Sequence, residues 1–420
     1  KGDRIAILAN NSHQYFEAYM GIPAGGMVVV PLNTRHALPE LLYALEDSGA
    51  KILLTDRSDI GPLQGSVDQV ISLDEQYEAV LAGAAQAPLG DDSDEEDLAG
   101  LFYTGGTTGA SKGVMLTHRN LIANAFNWLS AVPQGPNDRS LVMAPMFHAA
   151  GSNGILAAMW QGSCQVALNT FEPKTVLQLI EKHKINITLG VPSMLSAIAE
   201  EQHVNPKDVS SLKILAHGGS PIATEVIKRC SQAFTSAQMV EVYGATETSP
   251  LATLLGNEEQ LIDDPKARSC GRSVIGCAIT ICAPEGHALP TGEVGEVVVS
   301  GANIMKGYWN KAEQTAAVLK GGGYWTGDLG YLDTQGYLFL VDRSKDMIVS
   351  GGENVYSTEV EDILYKFPGV LEAAVFGVPD QKWGEAVYAV VVPRPDATDV
   401  TPEALIAFCR EHIGGYKGPK

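Results

Sequence analysis

The chain has 420 residues and a formal charge of −20, from 29 Lys plus Arg against 49 Asp plus Glu. That length exceeds one compact core, so at least two folded units are expected, and 45% hydrophobic with 19% charged residues exclude the disordered and fibrous classes. The acidic balance argues against a nucleic-acid or anionic-membrane binder, whose face would be basic, but not against a polyanionic small ligand held by local donors.

The first part alternates strand and helix signals. IAILAN (5–10) is a short apolar run, followed by Ser12 as an N-cap, a helical stretch and the strand-like MVVVPLN. In ALPELLYALEDSG, Leu38, Leu41, Leu42 and Leu45 recur at helical spacing and Gly49 supplies a stop. KILLTD and QVISLD are strand-like again. The acidic stretch 87–100 reads as a solvated loop. The alternation returns with INITLGVP, a helix around Met194–Ala199, LKILAHGG, a helix over 223–234 and MVEVYGATE, so two doubly wound α/β units are expected. From about Ser273 to Leu340 short strands with glycine turns predict a β-rich subdomain. After Ser350 come a helix (358–367), the strands AAVFGVPD and AVYAVVVP, and a helix (402–412), predicting a small α+β unit.

The six cysteines, Cys164, Cys230, Cys270, Cys277, Cys282 and Cys409, form no CxxC pair and no metal-spaced cluster with histidine, so reduced, mostly buried thiols are expected. No apolar run reaches transmembrane length. The chain starts at Lys1 directly before a strand and stops on GGYKGPK. Both ends look cut, so the lack of a signal peptide says little; a cytoplasmic location is expected.

The most informative segment is LFYTGGTTGASKGVMLTH, residues 101–118. Thr104, Thr107 and Thr108 are interleaved with Gly105, Gly106 and Gly109, and Lys112 follows. Glycines admit phosphate oxygens to backbone N–H groups, while threonine hydroxyls and a lysine add donors and charge. Such a loop can hold a triphosphate, yet it is not a Walker A loop, because Ser111 precedes Lys112 and Gly113 follows. A mobile surface loop is the competing reading of these residues alone.

The segment resembles the signature of the adenylate-forming superfamily, which includes acyl-CoA and aryl-CoA synthetases. Gly105 stands where serine is usual. PMFHAAG (145–151), HGGSP (217–221), YGATE (243–247), YWTGDLG (324–330), VDRSKDMIVSGGEN (341–354) and VFGVPDQKWGE (375–385) follow in the family's order, so the resemblance covers essentially the whole chain. It implies a large N-terminal domain (1–344) and a small mobile C-terminal domain (345–420), with the outermost elements of each missing. It also implies that Tyr243 lies against adenine, Thr246 binds the α-phosphate and Glu247 holds Mg²⁺. Gly218, Gly219, Ser220 and Gly244 complete the nucleotide contacts, and Asp328 with Arg343 takes the ribose. His148 would sit beside the substrate carboxylate, with Ala149, Ala150, Gly218 and Gly219 lining the acyl pocket. Lys345 would be the hinge, and Ser350, Gly351, Gly352 and Trp383 would serve coenzyme A.

The implied reaction couples a carboxylic acid, ATP and coenzyme A in two steps through an acyl-adenylate. PMFHAAG offers no carboxylate for an α-amino group, and only residues 310–325 separate Trp309 from Thr326, too few for the insertion of fatty acyl-AMP ligases. A medium or long fatty acid or an aromatic acid is therefore expected, rather than an amino acid or acetate. The small residues at Ala149, Ala150, Gly218 and Gly219 either make room for a bulky tail or serve helix packing. A homodimer is compatible with this reading. The competing class is a truncated or non-catalytic adenylate-binding protein, because the family places an adenylation lysine close to the C-terminus that neither Lys417 nor Lys420 matches. An adenylating enzyme with another acceptor, including luciferase-like oxidation, stays open.

Overall fold

The computed structural model describes all residues except 87–89, 91–92, 107–108, 221, 223, 344–346, 351–352, 381–382, 395–396, 398, 414–416 and 420. They gather into two compact units. The first comprises Lys1–Ile222, Val226–Ile279 and Val299–Tyr324, and the second Ala223–Glu225, Thr280–Val298 and Trp325–Lys420.

Strands β1 (Arg4–Leu8), β2 (Val28–Pro31), β3 (Ile52–Thr55), β4 (Gln69–Ser72), β5 (Leu98–Gly106) and β6 (Gly109–Thr117) belong to one sheet. A second sheet holds β7 (Arg139–Val142), β8 (Cys164–Ala167), β9 (Ile187–Gly190), β10 (Ile214–Gly218), β11 (Gln238–Tyr243), β12 (Thr253–Gly256) and β13 (Arg272–Ser273). After β14 (Cys277–Cys282) and β15 (Gly295–Gly301), β16 (Gly307–Tyr308) returns to pair with β6. The orders are β16-β6-β5-β2-β1-β3-β4 and β13-β12-β11-β10-β9-β7-β8. From β8 to β11 the second sheet is parallel, and so are β4, β3, β1, β2 and β5 of the first. The continuous apolar runs IAIL and VVVP suit such strands, because a parallel sheet covered on both faces has no wet side to alternate toward.

The helices start and stop where local chemistry directs. In α1 (His13–Ala24) Ser12 accepts from Tyr15 N–H. In α2 (Leu38–Ser48) Glu40 accepts from Ala37 N–H, Leu41 and Leu45 are buried, and Gly49 closes the helix at φ 60°. Leu38, expected on the buried stripe, is exposed because it lies at the helix start. Next come α3 (Tyr77–Gly83), α4 (His118–Ala131), α5 (Ala149–Trp160), α6 (Pro173–His183), α7 (Pro192–Val204), α8 (Thr224–Ala233) and α9 (Ala312–Val318).

Residues 101–118 differ from the loop expected. β5 and β6 pair antiparallel from Leu98↔Thr117 to Gly106↔Gly109, making the segment a hairpin with Thr104 opposite Lys112. The register shifts between Thr104 and Gly106, where glycine tolerates the irregular backbone. The end of the acidic stretch, from Leu98, belongs to this strand too.

Short strands continue with β17 (Leu319–Lys320), β18 (Gly323–Leu332) and β19 (Leu338–Arg343), matching the β-rich expectation. In the second unit β18 and β19 form a hairpin from Asp328↔Arg343 to Leu332↔Leu338. A further sheet has the order β21-β20-β23-β22, built from β20 (Ile348–Ser350), β21 (Glu353–Val355), β22 (Val370–Asp380) and β23 (Gly384–Pro393). Helices α10 (Ser357–Leu364) and α11 (Pro402–His412) pack on it around Ile348, Val360, Leu364, Val387 and Cys409. α10 stops short of the expected Phe367 because Pro368 disfavours helical backbone before it, and Lys366 and Phe367 close tighter i→i−3 turns.

Among the described residues no helix is long and apolar enough to cross a membrane. The cysteines are free thiols. Cys164 is exposed, at the sheet edge formed by β8; Cys230, Cys270, Cys282 and Cys409 are buried.

Candidate active site

The hairpin brings Lys112 to Tyr308, which β16 holds alongside Val114 of β6. The Lys112 ammonium lies 4.8 Å from the centre of the Tyr308 ring, within cation–π range. The Tyr308 hydroxyl donates to Glu247 Oε1 at 2.7 Å. Burial, reinforced by the Glu247 charge and hydrogen bond, pushes the Tyr308 pKa far above its ordinary value, so the phenol stays a donor. Lys112, Tyr308 and Glu247 thus form one connected row.

Glu247 lies on a short 3₁₀ turn, Thr246–Thr248, beyond the end of β11. Its carbonyl accepts from Met305 N–H at 2.9 Å. Thr248 Oγ1 accepts from Ala245 N–H, and the buried Asn303 amide donates to the carbonyls of Thr248 and Leu251 at 2.7 and 2.9 Å. Before the turn, Gly244 is required by space: a Cβ there would fall 1.9 Å from the Pro250 carbonyl oxygen. These bonds fix the turn that carries Thr246 and Glu247 just beyond Tyr243, the last residue of β11, at the C-terminal edge of the sheet, where open α/β sheets take their ligands.

The neighbouring strand β10 ends at Gly218. A Cβ at that position would lie 2.4 Å from the Val242 carbonyl oxygen, so close strand packing explains the glycine. Gly219 adopts φ 85°, the left-handed region, and Ser220 beyond it is exposed. Just before them His217 is fully buried, with Nε2 2.6 Å from Glu258 Oε2, and pairs in register with Glu241 of β11. Burial opposes the imidazolium, but the bond and charge of Glu258 outweigh it and raise the His217 pKa. Desolvation raises that of Glu241.

His148 is the N-cap residue of α5, yet its side chain makes no capping bond. The ring keeps an exposed edge, while the protein packed around it, then Arg35 and His36, lower its pKa. Ala149 is buried in the main core cluster, and Ala150 follows it in the helix.

In the second unit Asp328 and Arg343 are register partners, the closest placement the hairpin allows. Gly327 turns at φ 77° with its N–H on Glu296, and Asp328 N–H donates to Thr326 Oγ1. Ser350 is buried opposite Gly384, and Trp383 N–H donates to Asp380. Thr107, Thr108, Lys345, Gly351 and Gly352 lie outside the described residues. Sequence reasoning passed over Tyr308, Asn303, Glu241 and Glu258. Tyr308 directly precedes Trp309, the landmark of the motif spacing, and nothing in the sequence marks the other three.

The "AMP-binding enzyme" family pattern matches residues 1–309, and that of the "AMP-binding enzyme C-terminal domain" residues 359–420. Feruloyl-CoA synthase from Amycolatopsis sp is 39% identical, over 100% of this chain and 84% of that protein. A long-chain-fatty-acid–CoA ligase from Mycobacterium tuberculosis is 34% identical, with the same coverage of 100% and 84%. Among solved structures, o-succinylbenzoate coenzyme A synthetase from Bacillus subtilis in complex with ATP and magnesium ion superposes with a TM-score of 0.87 at 33% identity, over 100% of this chain and 85% of that one.

Proposed function

The chain belongs to the AMP-binding enzyme family as an AMP-forming acid–CoA ligase, and from that premise we propose that it activates an aromatic acid, with a medium or long fatty acid as the second reading. The row Lys112–Tyr308–Glu247 carries the assignment of the site, because it joins a cation on the Gly/Thr hairpin to a carboxylate at the sheet edge. The 39% identity with a feruloyl-CoA synthase favours the aromatic acid over the fatty acid.

In the first step a carboxylate oxygen of the acid attacks the α-phosphorus of ATP, and the bond to the bridging oxygen breaks as pyrophosphate leaves with the electron pair. Thr104, Gly105, Gly106, Thr107, Thr108, Gly109 and Lys112 hold the triphosphate, and Thr246 the α-phosphate. Tyr243 with Gly218, Gly219, Ser220 and Gly244 receives adenine; Asp328 and Arg343 take the ribose. Glu247 suits Mg²⁺, which binds through one or two carboxylates plus phosphate oxygens; once bound, the ion neutralises phosphate charge. Tyr308 fixes the carboxylate that would meet it. His148, whose surroundings disfavour the imidazolium, leaves the acid's carboxylate nucleophilic rather than locked in an ion pair. In the second step the thiolate of coenzyme A attacks the acyl carbon, the bond to AMP breaks and AMP leaves with its electron pair. Lys345, Ser350, Gly351, Gly352 and Trp383 serve that step.

The test is coenzyme A-dependent AMP release across acids graded in length and aromaticity. Arylpropenoic acids should give the highest kcat/KM. Acetate in first place overturns the assignment, and a saturated fatty acid in first place selects the second reading.

A further inference from the structure

The two ends of the row Lys112–Tyr308–Glu247 stand on different sheets. Lys112 and Tyr308 lie on β6 and β16 of the first, whereas Glu247 follows β11 of the second, and among the described residues the sheets share no strand. A short strap between β15 and β16, residues 302–305, bridges them. On one side it holds the turn. Asn303 donates to the Thr248 and Leu251 carbonyls, its own carbonyl accepts from Ser249 Oγ at 2.7 Å, and Met305 N–H donates to the Glu247 carbonyl. On the other side the carbonyls of Ala302 and Ile304 both accept from one side chain, Asn120, at 2.8 and 2.7 Å.

Asn120 is buried in the first turn of α4, the helix that leaves β6 of the phosphate hairpin. Its oxygen accepts from Thr117 N–H at 2.9 Å and closes the helix cap, so both amide hydrogens remain for the strap. Two carbonyls against one nitrogen fix which way the amide points, because an oxygen there would leave them unpaired. Asn124, one turn further along the same face, accepts from Leu251 N–H at 3.0 Å. One helix rooted in the phosphate hairpin therefore grips both the strap and the segment that the strap holds.

Resting on the acid–CoA ligase reading above, we propose that Asn120 is a positioning residue for the adenylation step: through the strap it sets the spacing between the Lys112 hairpin and the Glu247 carboxylate. Without it the reacting groups are present but misplaced, and supports of a metal-binding carboxylate typically matter about 10- to 100-fold.

ATP–pyrophosphate exchange, together with titration calorimetry of ATP with and without Mg²⁺, tests this on three variants. Asn120→Asp keeps the oxygen that caps the helix and loses both donations to the strap; Asn120→Ala loses them without adding a charge. Thr117→Ala removes the hydroxyl that accepts from Asn120 N–H, weakening the same helix start while sparing the strap. Both Asn120 variants should lower kcat for exchange about tenfold with the KM of the acid unchanged, and should cut by about tenfold the factor by which Mg²⁺ tightens ATP binding. Thr117→Ala should lower the melting temperature and move neither readout. Wild-type values in both Asn120 variants, or an equal loss in Thr117→Ala, overturn the positioning role and leave the ligase reading intact. No exchange by the wild type with any acid overturns both.

Discussion

Tyr308 sits between charges of opposite sign, Lys112 over its ring and Glu247 at its hydroxyl. Tyr308→Phe keeps the ring and removes the donor, so ATP–pyrophosphate exchange should fall about tenfold at a stability cost near 1 kcal/mol. Unchanged exchange would show that the orientation of Glu247 does not depend on this bond. The His217–Glu241–Glu258 group predicts a pH response. Glu241 has a raised pKa in the fold, so the stability it costs grows as pH rises from the ordinary glutamate value toward the raised one. His217 is also raised, so its contribution is complete below the ordinary histidine value and is lost as pH climbs through the higher one. Both push the same way: the melting temperature should fall as pH rises above the ordinary glutamate value, with the Glu241 share confined to the range up to about pH 7 and the His217 share lying above the ordinary histidine value, and Glu241→Gln should flatten the fall below pH 7. Calorimetry across the range decides, and an equal slope in the variant would exclude Glu241 as a contributor.

Asp342 shows how one side chain ties elements together within the second unit. Its backbone pairs with Leu329 in the β18–β19 hairpin, while its carboxylate accepts from the N–H and hydroxyl of Ser357, the first residue of α10. Asp342→Ala should cost about 1–2 kcal/mol, as loss of a helix cap does, and speed hydrogen exchange over Ser357–Leu364. Gly244→Ala should displace the Thr246–Thr248 turn, because its Cβ would strike the Pro250 backbone, and adenylation should fall while overall helix content by circular dichroism stays. Elements were legible to different depths. α2 could be read from leucine spacing and Gly49, since both signals act within one or two turns. The β5–β6 hairpin was read as a loop, because its pairing joins Leu101 to Met115 across a glycine-rich tip whose composition favours no regular state.

The two units have separate cores, one reason to expect the half-reactions to be separable by mutation. Lys345→Pro, which fixes φ and removes an N–H at the proposed hinge, should spare pyrophosphate exchange and lower thioester formation by about tenfold or more. Parallel loss of both activities would refute the hinge. The sequence by itself determined the alternation of strands and helices and marked out the Gly/Thr segment 101–118. Their motifs are contiguous, so local chemistry and resemblance sufficed for both. Only the tertiary structure decided that Tyr308 joins Lys112 to Glu247, that Gly218 is small for strand packing, and that Gly154 borders open space. Those facts depend on distances between segments far apart in the chain, and a glycine carries no mark of whether its missing Cβ would meet backbone or nothing.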